Sequence, residues 1–241
     1  MSTTSLLSGL SHRDVKNYFD QNESRAKLKN LKVGGWGTIA LGAFLVVGEP
    51  VVGLVFLGIG IYMVFYMTKK VYDEKLANLP SDADIEKGYE QFVRNSTEKA
   101  YSAVNYAPSD SVRQPDWFWF SSSGVQGAEK RIHQGQDKVW RANMRSFLWV
   151  IYGKDQIMTY EVDFCIESDV QSKTNTSEYF YKDVAGVEFD NNDNTLTLRT
   201  TGGNKTFPLS SDDSEEAGDV DRAQHVANTI RTMLRERKAS Q

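Results

Sequence analysis

Nucleophilic and acid–base chemistry at neutral pH draws first on histidine and cysteine, and this chain has three His and one Cys in 241 residues. His12, His133 and His225 are scattered, and His133 has no His, Cys or Asp at metal-ligand spacing. Cys165 lies in the apolar-rich run Thr159 to Ile166, where a thiol reads as a small buried hydrophobe. One cysteine also excludes an intramolecular disulfide framework and fits a reducing compartment. Gly202-Gly203 belongs to a hairpin turn rather than a phosphate-cradling loop. No Ser/His/Asp set and no paired metal ligands emerge. The expectation is a protein that is not an enzyme, with no catalytic residue, cofactor or metal.

Binding chemistry has one candidate, the aromatic and basic region Trp117, Trp119, Lys130, Arg131, Trp140 and Arg141. Two readings fit it. The rings are core and the cations a solvated face, or together they form a surface for a protein partner or lipid. The net charge of -4 gives no preference for nucleic acid, and none is expected as a partner.

The element that must place any such surface is the run Val33 to Met67, whose only charge is Glu49, beside Pro50 at its midpoint. Lys27, Lys29 and Lys32 bound it on one side, Lys69 and Lys70 on the other. Pro50 after Gly48-Glu49 breaks the run into two arms, each about 22–26 Å long as a helix. That is short of the ~30 Å hydrocarbon core, a mismatch that costs only fractions of a kcal/mol per Å. Of two arrangements, a spanning hairpin and a re-entrant wedge whose tip stays in the membrane, the first is expected, with Glu49 and Pro50 at a wet tip, since an ionised carboxylate left in hydrocarbon costs roughly 2.5–3.5 kcal/mol. Trp36, Tyr62 and Tyr66 sit near the lysine-flanked ends, where amphipathic rings favour the interface. Lysines at both ends put both termini in the cytoplasm by the positive-inside rule. The same basic cluster reads either as a topogenic signal alone or as a contact for anionic lipid. Gly34, Thr38 and Gly42, four apart, form a small-residue face, and Gly53 and Gly60 form another. These faces pack arm on arm or protomer on protomer.

Around the hairpin the chain divides into residues 1–32, a cytoplasmic N-terminal helix opening at Ser11, and 33–68, the transmembrane hairpin. Residues 69–107 form a helical connector, with Ile85, Tyr89, Phe92, Val93, Ala100 and Val104 at helical spacing. Residues 108–138 are a linker and insertion that carry a first strand at Trp117 to Phe120. Residues 139–241 are a domain of short strands: Arg145 to Tyr152, Gln156 to Glu167, two within Ser177 to Asp190, Thr195 to Thr200 and Lys205 to Leu209. A polar loop, Asp169 to Asn175, interrupts them. An acidic loop from Ser210 leads to a C-terminal helix from about Asp219 to Lys238, with Val226, Ile230, Met233 and Leu234 on one face. The fold class expected is α+β, a helical hairpin in the membrane plus an antiparallel sheet or barrel closed by a C-terminal helix.

The runs EYFYKDVAGVEF (Glu178 to Phe189) and NTLTLRTTGG (Asn194 to Gly203), followed by the final helix, resemble the second half of bacterial pleckstrin-homology-like domains. There a Y-x-D-V-x-x-V strand, a hairpin and a capping helix recur. The resemblance covers Arg145 to Lys238 and implies a non-enzymatic domain with a lipid-, peptide- or self-binding surface, on a bacterial inner membrane. Two functions follow as expectations. The first is a membrane-anchored scaffold or adaptor that self-assembles as a homo-oligomer or recruits a cytoplasmic protein. The alternative is a membrane-acting effector whose glycine-rich hairpin oligomerises into a pore or remodels the bilayer.

Overall fold

The computed structural model describes residues 10–122, 124–209 and 218–239, so the first nine residues and the acidic run 210–217 lie outside it. The chain divides into two compact units, residues 10–83 and residue 84 onward.

In the first unit, the Ser11 hydroxyl caps helix α1 (His12–Phe19) by accepting the Asp14 amide at 3.1 Å. One helix from Ser11 to Lys32 is expected from sequence. The structure instead breaks it at Asp20, whose backbone leaves helical geometry, and α1 buries Val15, Tyr18 and Phe19. Helix α2 (Gln21–Leu45) starts polar and runs without interruption into the first apolar arm. After a tight turn through Gly48, Pro50 opens α3 (Pro50–Ile61) at its first position, where its missing N–H costs nothing. A π-helical stretch (Tyr62–Met67) and α4 (Thr68–Lys75) continue it. Asn17 of α1 then ties down the end of α4, donating to the Glu74 carbonyl at 3.1 Å and accepting from Lys75 at 3.2 Å. The run Pro50–Lys75 is long and apolar enough to cross a membrane, and most of its apolar side chains are exposed.

The second unit is mixed helix and antiparallel sheet. Its strands are β1 (Asp116–Ser121), β2 (Ile132–Gln134), β3 (Trp140–Ala142), β4 (Met144–Tyr152), β5 (Gln156–Cys165), β6 (Val170–Phe180), β7 (Val184–Asp190), β8 (Thr195–Thr200) and β9 (Gly203–Pro208). One sheet runs β1-β4-β5-β6 and another β7-β8-β9, with β2-β3 a small separate hairpin. Helix α5 (Asp82–Ala103) covers one face of the four-stranded sheet, where the Phe92 ring stacks on Phe164 at 3.9 Å and meets Phe147 and Trp149. The opposite face, with Phe118, Phe120, Leu148 and Val150, shares a core with Leu196, Leu198 and Phe207 and with Val226 and Ile230 of α6 (Val220–Ala239).

Three expectations change. Among the described residues the sheets do not close into a barrel. The four-stranded sheet ends at β6, an exposed, polar strand whose pairing with β5 shifts between Glu161 and Asp163, and an irregular polar edge resists further pairing. All but Asp169 of the segment expected as the loop Asp169 to Asn175 belongs to that strand, because an edge needs no apolar alternation. The domain start expected at residue 139 also moves upstream. Strand β1 pairs with β4 from Asp116↔Val150 to Ser121↔Arg145, and α5 supplies core, so a domain boundary at 139 would cut through the sheet.

Candidate functional site

The hairpin seam is built from backbone. A Cβ added to Gly42 would lie 2.6 Å from the Leu57 amide nitrogen, and one on Gly53 2.4 Å from that of Val46. One on Gly60 would meet Ile39 at 2.6 Å, and one on Gly35 would meet Val64 at 2.5 Å. Glycine is required at all four because the helices touch there, as in close membrane helix pairs. The seam thus joins Gly35 and Gly42 to Gly53 and Gly60, seven apart on each arm. Gly34 is exposed, with room for a Cβ 3.6 Å from Met63, and Thr38 turns its hydroxyl back to the Gly34 carbonyl at 2.8 Å. The small-residue face on α2 therefore lies one residue round the helix from the Gly34–Thr38–Gly42 stripe.

Away from the seam the hairpin turns its apolar side chains outward: Phe44 is 79% exposed, Val47 90% and Val51 77%. Glu49 and Pro50 sit exposed at the tip, where Glu49 makes no side-chain cap to α3.

In the second unit, alternation along β1 sends Phe118 and Phe120 into the core and leaves Trp117 and Trp119 half-buried on the other face. Each indole carries a guanidinium. Arg222 of α6 lies 3.7 Å from the Trp117 ring centre. Arg145, 2% exposed, lies between Trp119 at 3.9 Å and Tyr89 at 4.2 Å. The Arg145 fork donates to both Glu86 oxygens at 2.8 and 3.0 Å. Arg141 shares Glu86 at 2.9 Å and forks onto Asp137 at 2.9 and 2.6 Å. Arg131 donates to Glu167 at 2.6 Å and Glu129 at 3.2 Å, and Lys130 to the Ser121 hydroxyl at 2.9 Å. Trp140 stands half-buried on β3, opposite Gln134.

The six residues expected as a surface are therefore not an open cationic platform. Trp119 and Arg141 belong to an internal arginine–aromatic lattice, Trp117 is covered by the part-exposed Arg222, and Lys130 and Arg131 are engaged by their own chain. Sequence reasoning missed Arg145 and Glu86, which organise the lattice. The available signal was one arginine inside the strand MRSFLWVIY, since a cation in an apolar strand needs an acid from elsewhere. The acid comes from α5, 59 residues upstream.

Burial opposes ionisation of Glu86, but hydrogen bonds and charge from Arg145 and Arg141 outweigh it and hold the carboxyl below its ordinary 4.5. Asp137 is held well below the usual carboxylate range, chiefly by its hydrogen bond to Arg141. A carboxylate depressed on folding stabilises the native state above its unfolded pKa, and that stability is lost as pH falls through the folded value. We expect the stability difference between the natural chain and Glu86→Gln to be constant above about pH 5 and to shrink below it. Thermal unfolding of both proteins from pH 7 to pH 3 measures it, and a difference that persists unchanged to pH 3 would contradict the assignment.

A cleft of about 390 Å³ opens between β1 and α6, lined by Asp116, Trp117, Asp221, Arg222 and His225. Its Asp116 already accepts the Tyr152 hydroxyl at 2.8 Å, and His225 is 3.8 Å from the same carboxylate. Cys165 is buried, and among the described residues no group of three or more His, Cys, Asp or Glu is placed to hold a metal ion. Compared with known proteins, the chain matches no family model, no curated protein and no solved structure.

Proposed function

We propose that this chain is a membrane-anchored scaffold or adaptor: the hairpin spans the bilayer, both flanks lie on the cytoplasmic side, and the unit from residue 84 is a binding domain. The observation that carries this reading is the outward apolar surface of the hairpin, where Leu54, Val55, Ile61 and Phe65 are exposed along Pro50–Lys75. A core helix of a soluble protein hides such a face, whereas lipid accepts it.

For the binding domain, the pleckstrin-homology-like reading is supported by the order of elements. A four-stranded antiparallel sheet is followed by a three-stranded one and a C-terminal helix packed on the shared core, with β2-β3 as an insertion after the first strand. The domain works by binding, through self-association or a cytoplasmic protein. The glycines favour an anchor over a pore, because Gly35, Gly42, Gly53 and Gly60 are used within one hairpin.

The test is cysteine accessibility in sealed vesicles, in a Cys165→Ser background. Glu49→Cys should react with an impermeant maleimide only from the side opposite Lys70→Cys, and the protein should resist alkaline carbonate extraction. Labelling of both from one side, or release by carbonate, would overturn the reading.

A further inference from the structure

On α2, Arg25, Lys29, Lys32 and Trp36 are spaced four, three and four residues apart, so they fall within about 60° of arc on one face. All four are exposed, while the packed side of the helix, marked by Ser24, Gly35 and Gly42, lies roughly a quarter turn away. The one acid on α2, Glu23, is on another face. From Trp36, the cations stand about 6, 10 and 16 Å along the axis. Trp36 is 57% exposed at the start of the apolar arm.

We propose that this stripe is a binding site for the phosphate of an anionic phospholipid headgroup, with Trp36 at the level of the interface and Lys32 and Lys29 as its cationic contacts. It rests on the membrane reading of the hairpin. A topogenic signal needs only charge near a membrane segment and has no use for a shared face. Here three of the four cations of α2 share a face with the one tryptophan of the hairpin, Lys27 alone lying on the far side near Glu23, and ordered contact with a headgroup needs that alignment. The ligand must be acidic, because no carboxylate on the stripe could receive a zwitterion's cation. With a screening length of about 8 Å, Lys32 contributes most, Lys29 less and Arg25 least.

Trp36 is also the reporter. The full-length protein is reconstituted in mixed vesicles in which either phosphatidylglycerol or phosphatidylcholine carries bromine on its acyl chains. Trp36 quenching is taken as the difference from a Trp36→Phe protein. At equal mole fraction, brominated phosphatidylglycerol should be preferred about fivefold, equivalent to the ~1 kcal/mol that a near-surface cation contributes. Lys29→Gln/Lys32→Gln should abolish the preference, while Lys69→Gln/Lys70→Gln, which removes the same charge from the other helix, should leave most of it. Equal quenching by the two lipids with the natural stripe overturns the site. Equal loss in both double variants also overturns it, since a diffuse surface potential then explains the preference. Absence of quenching by either lipid means that the hairpin is not in the bilayer, and the membrane reading fails with it.

Discussion

Gly42→Leu is expected to pry the two arms of the hairpin apart, at a cost of about 3 kcal/mol or more, the upper end of what overpacking a close contact costs. The Cβ alone meets the Leu57 amide nitrogen at 2.6 Å and the Gly53 carbonyl oxygen at 2.9 Å. These are backbone atoms of the facing helix, so no rotamer change relieves the contact and the helix itself must move. Gly53→Leu should do the same against Val46. Gly37→Leu and Gly58→Leu provide the contrast, because a Cβ at either meets nothing within 4 Å. Leucine there should stabilise the hairpin slightly, by up to about 0.8 kcal/mol of helix propensity. The measurement is a distance distribution between spin labels at Val33 and Phe65, both exposed, together with denaturant unfolding in the same detergent. Gly42→Leu should lengthen and broaden the distribution and lower the midpoint, whereas Gly37→Leu should leave the distribution unchanged. Equal responses at both positions would mean that the seam is not where the helices meet.

The hairpin was legible because its signal is local: a single charge at the midpoint, lysines at both ends and a proline at the turn. The face it packs with was not. Gly34–Thr38–Gly42 and Gly35–Gly42 are both sensible small-residue stripes on α2, and only the position of the facing helix selects the second. The same division holds in the second unit. Strands β4 and β5 announce themselves by β-branched and aromatic alternation, and α6 by its apolar face. The place of β1 beside β4 is set by hydrogen bonds across an insertion of more than twenty residues, which leaves no local trace. For the candidate surface, the residue types offered rings and cations without saying which would meet: Trp119 takes Arg145 and Trp117 takes Arg222, neither of which the sequence pairs with a ring. Nothing in Trp119 and Arg141 tells that Glu86 neutralises Arg145 and Arg141 from α5.

Arg145→Ala is expected to destabilise the second unit by about 3 kcal/mol, the lower end of the cost of breaking a buried ion pair. Two features put it at the lower end. Glu86 keeps Arg141 as a partner, and its side chain is 38% exposed, so the carboxylate is not stranded. What is lost is the planar fork that joins α5 to β4, and with it the filling between Trp119 and Tyr89. Lysine should not rescue, because an ammonium neither forks onto two oxygens nor lies flat between two rings. Methionine separates the two losses. Arg145→Met restores most of the packing without the charge, so its cost reports the ion pair alone. Adding Glu86→Gln to Arg145→Met should then recover stability, since an apolar or neutral replacement of both partners is often tolerated. Near-ultraviolet circular dichroism during thermal unfolding of the full-length protein in detergent follows the buried tryptophans directly. A change of less than about 0.5 kcal/mol in Arg145→Ala would place the residue among ordinary surface cations. The arginine–aromatic lattice would then not be what holds α5 on the sheet.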